Sequence, residues 1–455
     1  MSNQMTRREF VKVVAGVGAA VTIAPAGAAR TFAANEAVNV AFVGSGGMGG
    51  GNLGHIAGLK TSKGARLANV VGLCDVDRNR LKAAKKAHGK AKTYVDFRKM
   101  LTEMRKEIDA VMVSTPDHTH YPASAMAIKL GMAVSTEKPL TQSIWEARQL
   151  GILAKKHKVV TQHDHEGHAG SDLRRGVEWI KSGLIGPVRE VHIFTDRPIW
   201  PQGLAKRPPT QPVPGHLEWD LWIGPAPFRK YHRHLHPFAW RGWWDFGSGA
   251  LGDMGCHFFD LAFWALDLGE ALKIGDKHPI VCSAEHEGNS EETYPKWSIV
   301  TLKVPERGKL PPVTIKWWDG HKLPKPPPEF GTGRKFPTNG SMFIGEGGPM
   351  LVYNTGGARL LPESRMREAR VREVKPFLPR SPGHKKEWLL AVRGEGKASS
   401  NFTDYGGPLA EVVLLGNLAI KAGKTIEWDS VNLKANNAPE LDQWVKREYR
   451  KGWDL

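Results

Sequence analysis

From Val38 to Gln162, short apolar runs alternate with helical stretches, and few folds accept such a pattern. The runs are Val38–Val43, Leu67–Leu73, a short one near Thr93, Ile108–Ser114, Met132–Ser135 and Val159–Gln162. They are too short for helices and apolar almost throughout, as strands buried on both faces must be. Between them Arg78–His88, Phe97–Lys106, Tyr121–Leu130 and Ile144–His157 carry helical patterns. Strands separated by helices of about 10–15 residues imply an α/β fold with a doubly wound parallel sheet. Ligands of such sheets bind beyond the carboxyl ends of the strands.

Those ends hold the chemistry. The first strand runs into Gly44-Ser45-Gly46-Gly47-Met48-Gly49, a G-x-G-x-x-G. Its glycines permit a tight turn, close approach of backbone to a pyrophosphate, and packing of helix on strand, while the helix N-terminus offers amides to the negative charge. Asp75 ends the second strand, 26 residues after Gly49. A carboxylate there suits the ribose hydroxyls and repels a 2′-phosphate, which favours NAD over NADP. Later strand ends lead into Thr115-Pro116-Asp117-His118-Thr119-His120, Glu137-Lys138-Pro139 and Gln162-His163-Asp164-His165-Glu166-Gly167-His168. Imidazoles and carboxylates at the last spacing can ligate zinc. The position after a strand favours contact of His163 and His165 with substrate or cofactor instead, and no metal is expected.

After Gly186-Pro187 the pattern changes to Val188–Thr195, Ile280–His286, Trp297–Val304 and Val313–Trp318, with shorter runs at Ser341–Ile344 and Met350–Tyr353. These read as strands without crossover helices. Ala250–Leu266 has helical spacing and carries Asp253, His257 and Asp260. Asp253 and His257, four apart, share a helix face, so the carboxylate can orient the imidazole. Removing a hydride from an alcohol needs a group to take the hydroxyl proton; His257 and Lys138 have suitable chemistry. Trp240, Arg241, Trp243 and Trp244 crowd the insertion before Asp253. Aromatic faces suit the C–H surface of a sugar ring, and Arg241 or His236 suits its hydroxyls.

The glycine turn, Asp75, Thr115-Pro116 with His120, Glu137-Lys138-Pro139 and Gly252-Asp253-Met254-Gly255-Cys256-His257 occur in this order. Together they resemble the glucose-fructose oxidoreductase / inositol dehydrogenase / rhizopine-catabolism family. The resemblance implies a Rossmann domain over 35–165 and, over 166–455, an α+β domain with a large open, mostly antiparallel sheet, its C-terminal helices packing back on the first domain. It implies Lys138, Asp253 and His257 as the catalytic trio. Gly44, Gly46, Gly47, Met48, Gly49, Asp75, Thr115, Pro116, His118, His120, Glu137, Lys138 and Gln162 are the implied cofactor contacts. A carbohydrate substrate and a homo-oligomer, dimer or tetramer, follow from the same likeness.

The N-terminus reads Thr6-Arg7-Arg8-Glu9-Phe10-Val11-Lys12, then an apolar run from Val13 to Ala26. This resembles a twin-arginine export signal covering 1–34 and directing the folded protein to the periplasm or cell envelope. The run is too rich in Gly and Ala to span a bilayer comfortably, and no integral span is expected after its removal. Three cysteines, Cys74, Cys256 and Cys282, form no disulfide or zinc pattern. The net charge of +18 arises from 64 basic and 46 acidic residues spread along the chain. Without a nucleic-acid-binding motif this does not indicate a nucleic-acid partner.

Three functions fit: an exported dehydrogenase with tightly held NAD, an NAD-dependent glycoside hydrolase working through transient oxidation at C3 and elimination, and a non-catalytic sugar-binding protein of the envelope.

Overall fold

The computed structural model describes residue 32 and residues 36–453. The export signal expected over 1–34 lies, except for Phe32, outside the described residues.

The first sheet is formed by β1 (Val38–Val43), β2 (Ala68–Cys74), β3 (Lys92–Tyr94), β4 (Ala110–Val113), β5 (Ala133–Glu137) and β6 (Thr161–Asp164). It is parallel throughout, in the order β3-β2-β1-β4-β5-β6. Every residue of the central strand β4 is buried, which accounts for its unbroken apolar run; β5 and β6 are buried too, although β5 ends on polar residues and β6 is polar throughout. Its helices are α1 (Met48–Gly58), α2 (Arg78–Ala87), α3 (Phe97–Glu103), α4 (His120–Lys129) and α5 (Ile144–His157). α5 is fixed at its start by a capping box between Ser143 and Glu146 and leaves through Lys158 at φ 53°. That left-handed exit delays β6 to Thr161, two residues later than the apolar pattern suggests, and carries His163 and Asp164 into the sheet.

The helix α6 (Ser171–Lys181) leads to the second sheet. Its strands are β7 (Val188–Phe194), β8 (Ile280–Glu287), β9 (Trp297–Val304), β10 (Val313–Trp318), β11 (Gly340–Gly345), β12 (Gly348–Tyr353), β13 (Ala358–Leu360), β14 (Ile426–Asp429) and β15 (Lys434–Ala435). The order is β13-β12-β11-β7-β10-β9-β8-β14-β15, antiparallel except where β7 pairs with β10. In β9 and β10 buried and part-buried residues alternate, because one face of the sheet is covered more fully than the other. The expected α/β architecture, a Rossmann sheet followed by a large, mostly antiparallel one, is thus the observed one.

The stretch expected as one helix over Ala250–Leu266 is two, α7 (Gly249–Phe258) and α8 (Asp260–Ala265). The division places Asp260 at the start of α8, where the helix dipole favours an acidic side chain. Near the C-terminus, α9 (His384–Val392) inserts Trp388 and Leu389 into the apolar cluster around Val38, Val40 and Phe42. α10 (Gly407–Ala422) is buried along most of its length and packs between α5, α7 and β8. A helix apolar on every side suits that central position. It holds α7, with Asp253, against the strand ends of the first sheet.

Candidate active site

Chain reversal after β1 depends on two glycines. Gly44 has φ 89°, and a Cβ there would lie 2.5 Å from the carbonyl oxygen of Ser114. A Cβ at Gly49 would lie 2.2 Å from the carbonyl oxygen of Gly44. The turn therefore closes against β4, and α1 starts directly on top of it. α1 has glycine at its N-cap, no side-chain cap and no acidic residue in its first turn. Its first amides are left for an anion from outside the chain. Across the turn, one oxygen of Asp75 accepts from the backbone N–H (2.9 Å) and hydroxyl (3.2 Å) of Ser45, and the other from the N–H of Asp77 (2.9 Å). Burial raises the Asp75 pKa against the pull of these bonds. Arg80 reaches back from α2 over Gly46. Open helix amides and a carboxylate at the tip of β2 fit a dinucleotide.

This turn lines one part of a cleft of about 410 Å³. Gly44, Gly46, Gly47, Met48, Asp75, Thr115, Pro116, Glu137 and Lys138 reach it, as do Trp240 and Arg241 from the insertion. Lys138 Nζ donates to Oδ1 of Asp253 (3.0 Å) and to its carbonyl oxygen (2.9 Å). Arg241 Nε donates to the same Oδ1 at 3.1 Å. Burial alone would raise the Asp253 pKa; Lys138 and Arg241 outweigh it and keep the carboxyl below its usual range. His257 stands one turn further along α7. Burial, then the Lys138 ammonium, push its pKa down to about 3, so the imidazole is neutral and a weak base in the free protein. Among the described residues no hydrogen bond joins Asp253 to His257. The carboxylate expected to orient the imidazole instead holds Lys138 and Arg241, which come from other segments and lie nearer in space.

Several other expected contacts are turned elsewhere. His118 directs Nε2 to the carbonyl of Trp222 (2.9 Å) and Nδ1 to that of Phe246 (3.3 Å), tying the insertion to β4. His120 directs Nδ1 to the carbonyl of Pro139 (2.8 Å) and Nε2 to that of Thr115 (2.7 Å), so it sets the two cleft loops relative to each other. Gln162 donates to the carbonyl of His384 at 2.9 Å. Gly49 packs on the turn rather than opening onto the cleft. His163 and His165 are fully buried and do not line the cleft. Trp243 is fully buried, with its indole N–H on the carbonyl of His234 at 3.1 Å, and Trp244 packs on Tyr294 with ring centroids 3.7 Å apart. The insertion builds its own apolar cluster, which takes most of its tryptophans. Trp243→Ala is therefore expected to destabilise the fold by about 3–5 kcal/mol in chemical denaturation while NAD affinity of the folded fraction stays within a few-fold.

His236, expected beside Arg241, lines the cleft, as do Asp117, Arg80 and Phe238, which the sequence reading passed over. Asp117 stood inside the Thr115–His120 motif, yet only folding brings it near Asp253. Burial, then Asp253, raise its pKa to about 7. Between pH 3.8 and 7 the folded state holds a proton that the unfolded chain has released, so Asp117 lowers stability progressively as pH rises through that window. Asp117→Asn is expected to be more stable than the parent above pH 7, by on the order of a few kcal/mol, with the difference vanishing below pH 4. Urea titrations at both pH values would show it.

Residues 38–165 match the GFO/IDH/MocA oxidoreductase family's NAD-binding Rossmann fold, and residues 180–308 match its C-terminal alpha/beta domain. The chain belongs to this family. Among family relatives, D-glucoside 3-dehydrogenase of Escherichia coli (strain K12) is 25% identical over 197 residues, 43% of this chain and 46% of that protein. The chain spans about half the length of the first curated relatives it matches. The WlbA dehydrogenase from Bordetella pertussis, solved with NADH and UDP-GlcNAcA, superposes with a TM-score of 0.56 at 18% identity, over 86% of this chain and 99% of that one. The myo-inositol dehydrogenase from Lactobacillus casei, solved with NAD(H) and myo-inositol, gives 0.53 at 17% identity, over 87% and 97%. These structures share the family fold, and the Gly44–Gly49 turn belongs to its NAD-binding domain.

Proposed function

We propose that this protein is an exported, NAD-dependent oxidoreductase that acts on a secondary hydroxyl of a sugar, glycoside or cyclitol. The observation that carries this reading is the Lys138–Asp253–Arg241 assembly, which opens on the same cleft as the glycine turn. Bound NAD supplies the hydride acceptor. The Lys138 ammonium, fixed by Asp253, orients the alcohol oxygen. The hydroxyl proton passes to a neutral ring nitrogen of His257. The rings of Trp240 and Phe238, 4.3 and 4.7 Å from the Arg241 guanidinium, offer flat apolar faces beside a hydrogen-bond donor, a combination suited to a carbohydrate. Asp117, poised near neutrality in the same cleft, gives kcat a pH limb close to 7 that Asp117→Asn removes.

An envelope compartment has no ready pool of nicotinamide nucleotide, so an exported enzyme keeps its cofactor through turnover. The protein should be purified folded, without added nucleotide, and its released small molecules identified. Retained NAD(H) together with turnover of sugar pairs supports the reading. Weak binding with stoichiometric NADH release overturns the retained cofactor. Retained NAD with background turnover on every sugar and glycoside points to a non-catalytic sugar-binding protein. The half-protonated Asp117 favours a second reading, a glycoside hydrolase that passes through a C3 ketone, with this carboxyl protonating the leaving oxygen. Release of chromophore from a nitrophenyl glycoside without added NAD distinguishes it from simple dehydrogenation.

Export rests on Thr6-Arg7-Arg8-Glu9-Phe10-Val11-Lys12. Replacing both Arg7 and Arg8 by Lys should leave the protein in the cytoplasmic fraction. A dimer or tetramer is the proposed assembly, to be read by light scattering.

A further inference from the structure

Beyond β6 the chain turns away from the cleft into a buried group of imidazoles. His165 precedes a short helical turn, Glu166–Ala169, His168 lies within it, and both meet Asp260 at the start of α8. All three side chains are buried, and one donor atom of each lies within 4.8 Å of the other two. His168 Nδ1 is 3.0 Å from Oδ1 of Asp260 and 3.3 Å from Oδ2, and His165 Nε2 is 3.4 Å from Oδ1. Zinc bonds of about 2.0–2.1 Å in a tetrahedral site separate neighbouring donors by about 3.3 Å. From this convergence we infer that His165, His168 and Asp260 form a binding site for a divalent first-row metal ion, zinc being the ion it suits best.

The donors are oriented for this role. His165 Nδ1 faces the carbonyl of His163 at 3.1 Å and can only donate there. In the neutral ring, Nε2 then presents a lone pair toward a carboxylate oxygen. Among the described residues that nitrogen has no hydrogen-bond partner. Two acceptors facing each other in an apolar interior repel, and a cation between them turns the repulsion into two bonds. The Nδ1-to-carbonyl bond is itself the usual way a ligating imidazole is fixed in its tautomer. Asp260 is supported in turn by the Tyr405 hydroxyl, which donates to Oδ1 at 2.5 Å, and the His168 ring stacks on Trp264 with centroids 4.5 Å apart. His163, its ring 4.5 Å from that of His165, has no hydrogen-bond partner on either nitrogen among the described residues, so the whole group is polar beyond what its own bonds satisfy.

Two imidazoles and a carboxylate without thiolate suit zinc and its neighbours rather than calcium or magnesium. The ligands come from separate parts of the chain: the exit of the nucleotide sheet, and the helix pair whose first member carries Asp253 and His257. A bound ion clamps that helix pair to β6 and fixes one side of the cleft without touching the cofactor.

The test uses the full-length protein, purified in metal-controlled buffers. The expected result is about one zinc per chain by elemental analysis, loss of the ion to a strong chelator with a fall in Tm, and recovery of both with Zn²⁺. Co²⁺ in place of zinc should give the visible ligand-field absorption of a four- or five-coordinate site. His165→Ala and Asp260→Asn should each weaken Zn²⁺ binding by more than about a hundredfold, beyond the 10–100-fold typical of groups that only support ligands. Lys138→Ala should keep the ion, which separates this site from the proposed reaction. A wild-type protein that takes up no Zn²⁺ at micromolar concentration and shows no Co²⁺ band overturns the inference. So does a folded Asp260→Asn variant that binds zinc as tightly as the parent. Should the variants not fold, the wild-type zinc content and cobalt spectrum decide.

Discussion

Lys138→Ala is expected to lower kcat by about 10²–10³-fold, the range for loss of a donor that holds the reacting oxygen in the transition state, while NAD affinity changes by only a few-fold. Among the described residues, Lys138 is the one cation in the cleft held at two points by Asp253, through the carboxylate at 3.0 Å and the main-chain carbonyl at 2.9 Å. Removing it leaves Asp253 to Arg241 alone, and the carboxyl is expected to rise toward its ordinary range. Lys138→Arg keeps the charge but replaces a compact ammonium by a planar fork, so it should recover little of the rate. Steady-state kinetics on a sugar that the parent oxidises provide the measurement. A Lys138→Ala enzyme with more than about a tenth of the parent kcat would remove Lys138 from the reaction. If NAD binding were lost as well, the defect would lie in the fold of the Glu137–Pro139 loop.

The second large effect is expected at Gly49. An alanine Cβ there would sit 2.2 Å from the carbonyl oxygen of Gly44, and backbone cannot swing aside as a side chain can. Either α1 lifts from the turn or the turn opens, and both misplace the amides that face the anion. Gly49→Ala is expected to cost about 1–3 kcal/mol in stability, as overpacking does, and to raise the Kd for NAD at least about tenfold. Calorimetric titration of the folded protein reads the affinity, and a urea curve reads the stability. Gly51→Ala is the control: no atom lies within 4 Å of a Cβ built there, and it should leave both quantities near the parent values.

Much of the first domain was legible in the sequence because each signal is local. A parallel strand buried on both faces must be apolar along its length, and a glycine needed for close approach cannot be another residue. The glycine turn, Asp75, Thr115, Pro116, Glu137 and Lys138 could therefore be placed at strand ends from spacing alone, and all but Gly49 of the named residues reach the cleft. The second sheet was legible in outline from alternation, but β13, β14 and β15, of two to four residues, are too short to show a period. The aromatic insertion misled because a tryptophan has the same identity in a core as in a sugar site. All three of Trp240, Trp243 and Trp244 are buried, and only their placement in space separates Trp243 and Trp244, which pack elsewhere, from Trp240, which lines the cleft.

Sequence by itself determined the order of strands and helices, the Rossmann class of the first domain and the turn that takes a dinucleotide, since steric and hydrophobic rules over a few neighbouring residues suffice for each. Tertiary structure alone decided which partners the charged groups took. Asp253 is four residues from His257 in the chain, yet its hydrogen bonds go to Lys138, 115 residues away, and to Arg241. Asp117 became a carboxyl near pH 7, and His165 and His168 were set against Asp260, for the same reason. Electrostatic and hydrogen-bond energies depend on distance and burial in space, and packing α7 and α8 against the ends of the first sheet fixes both.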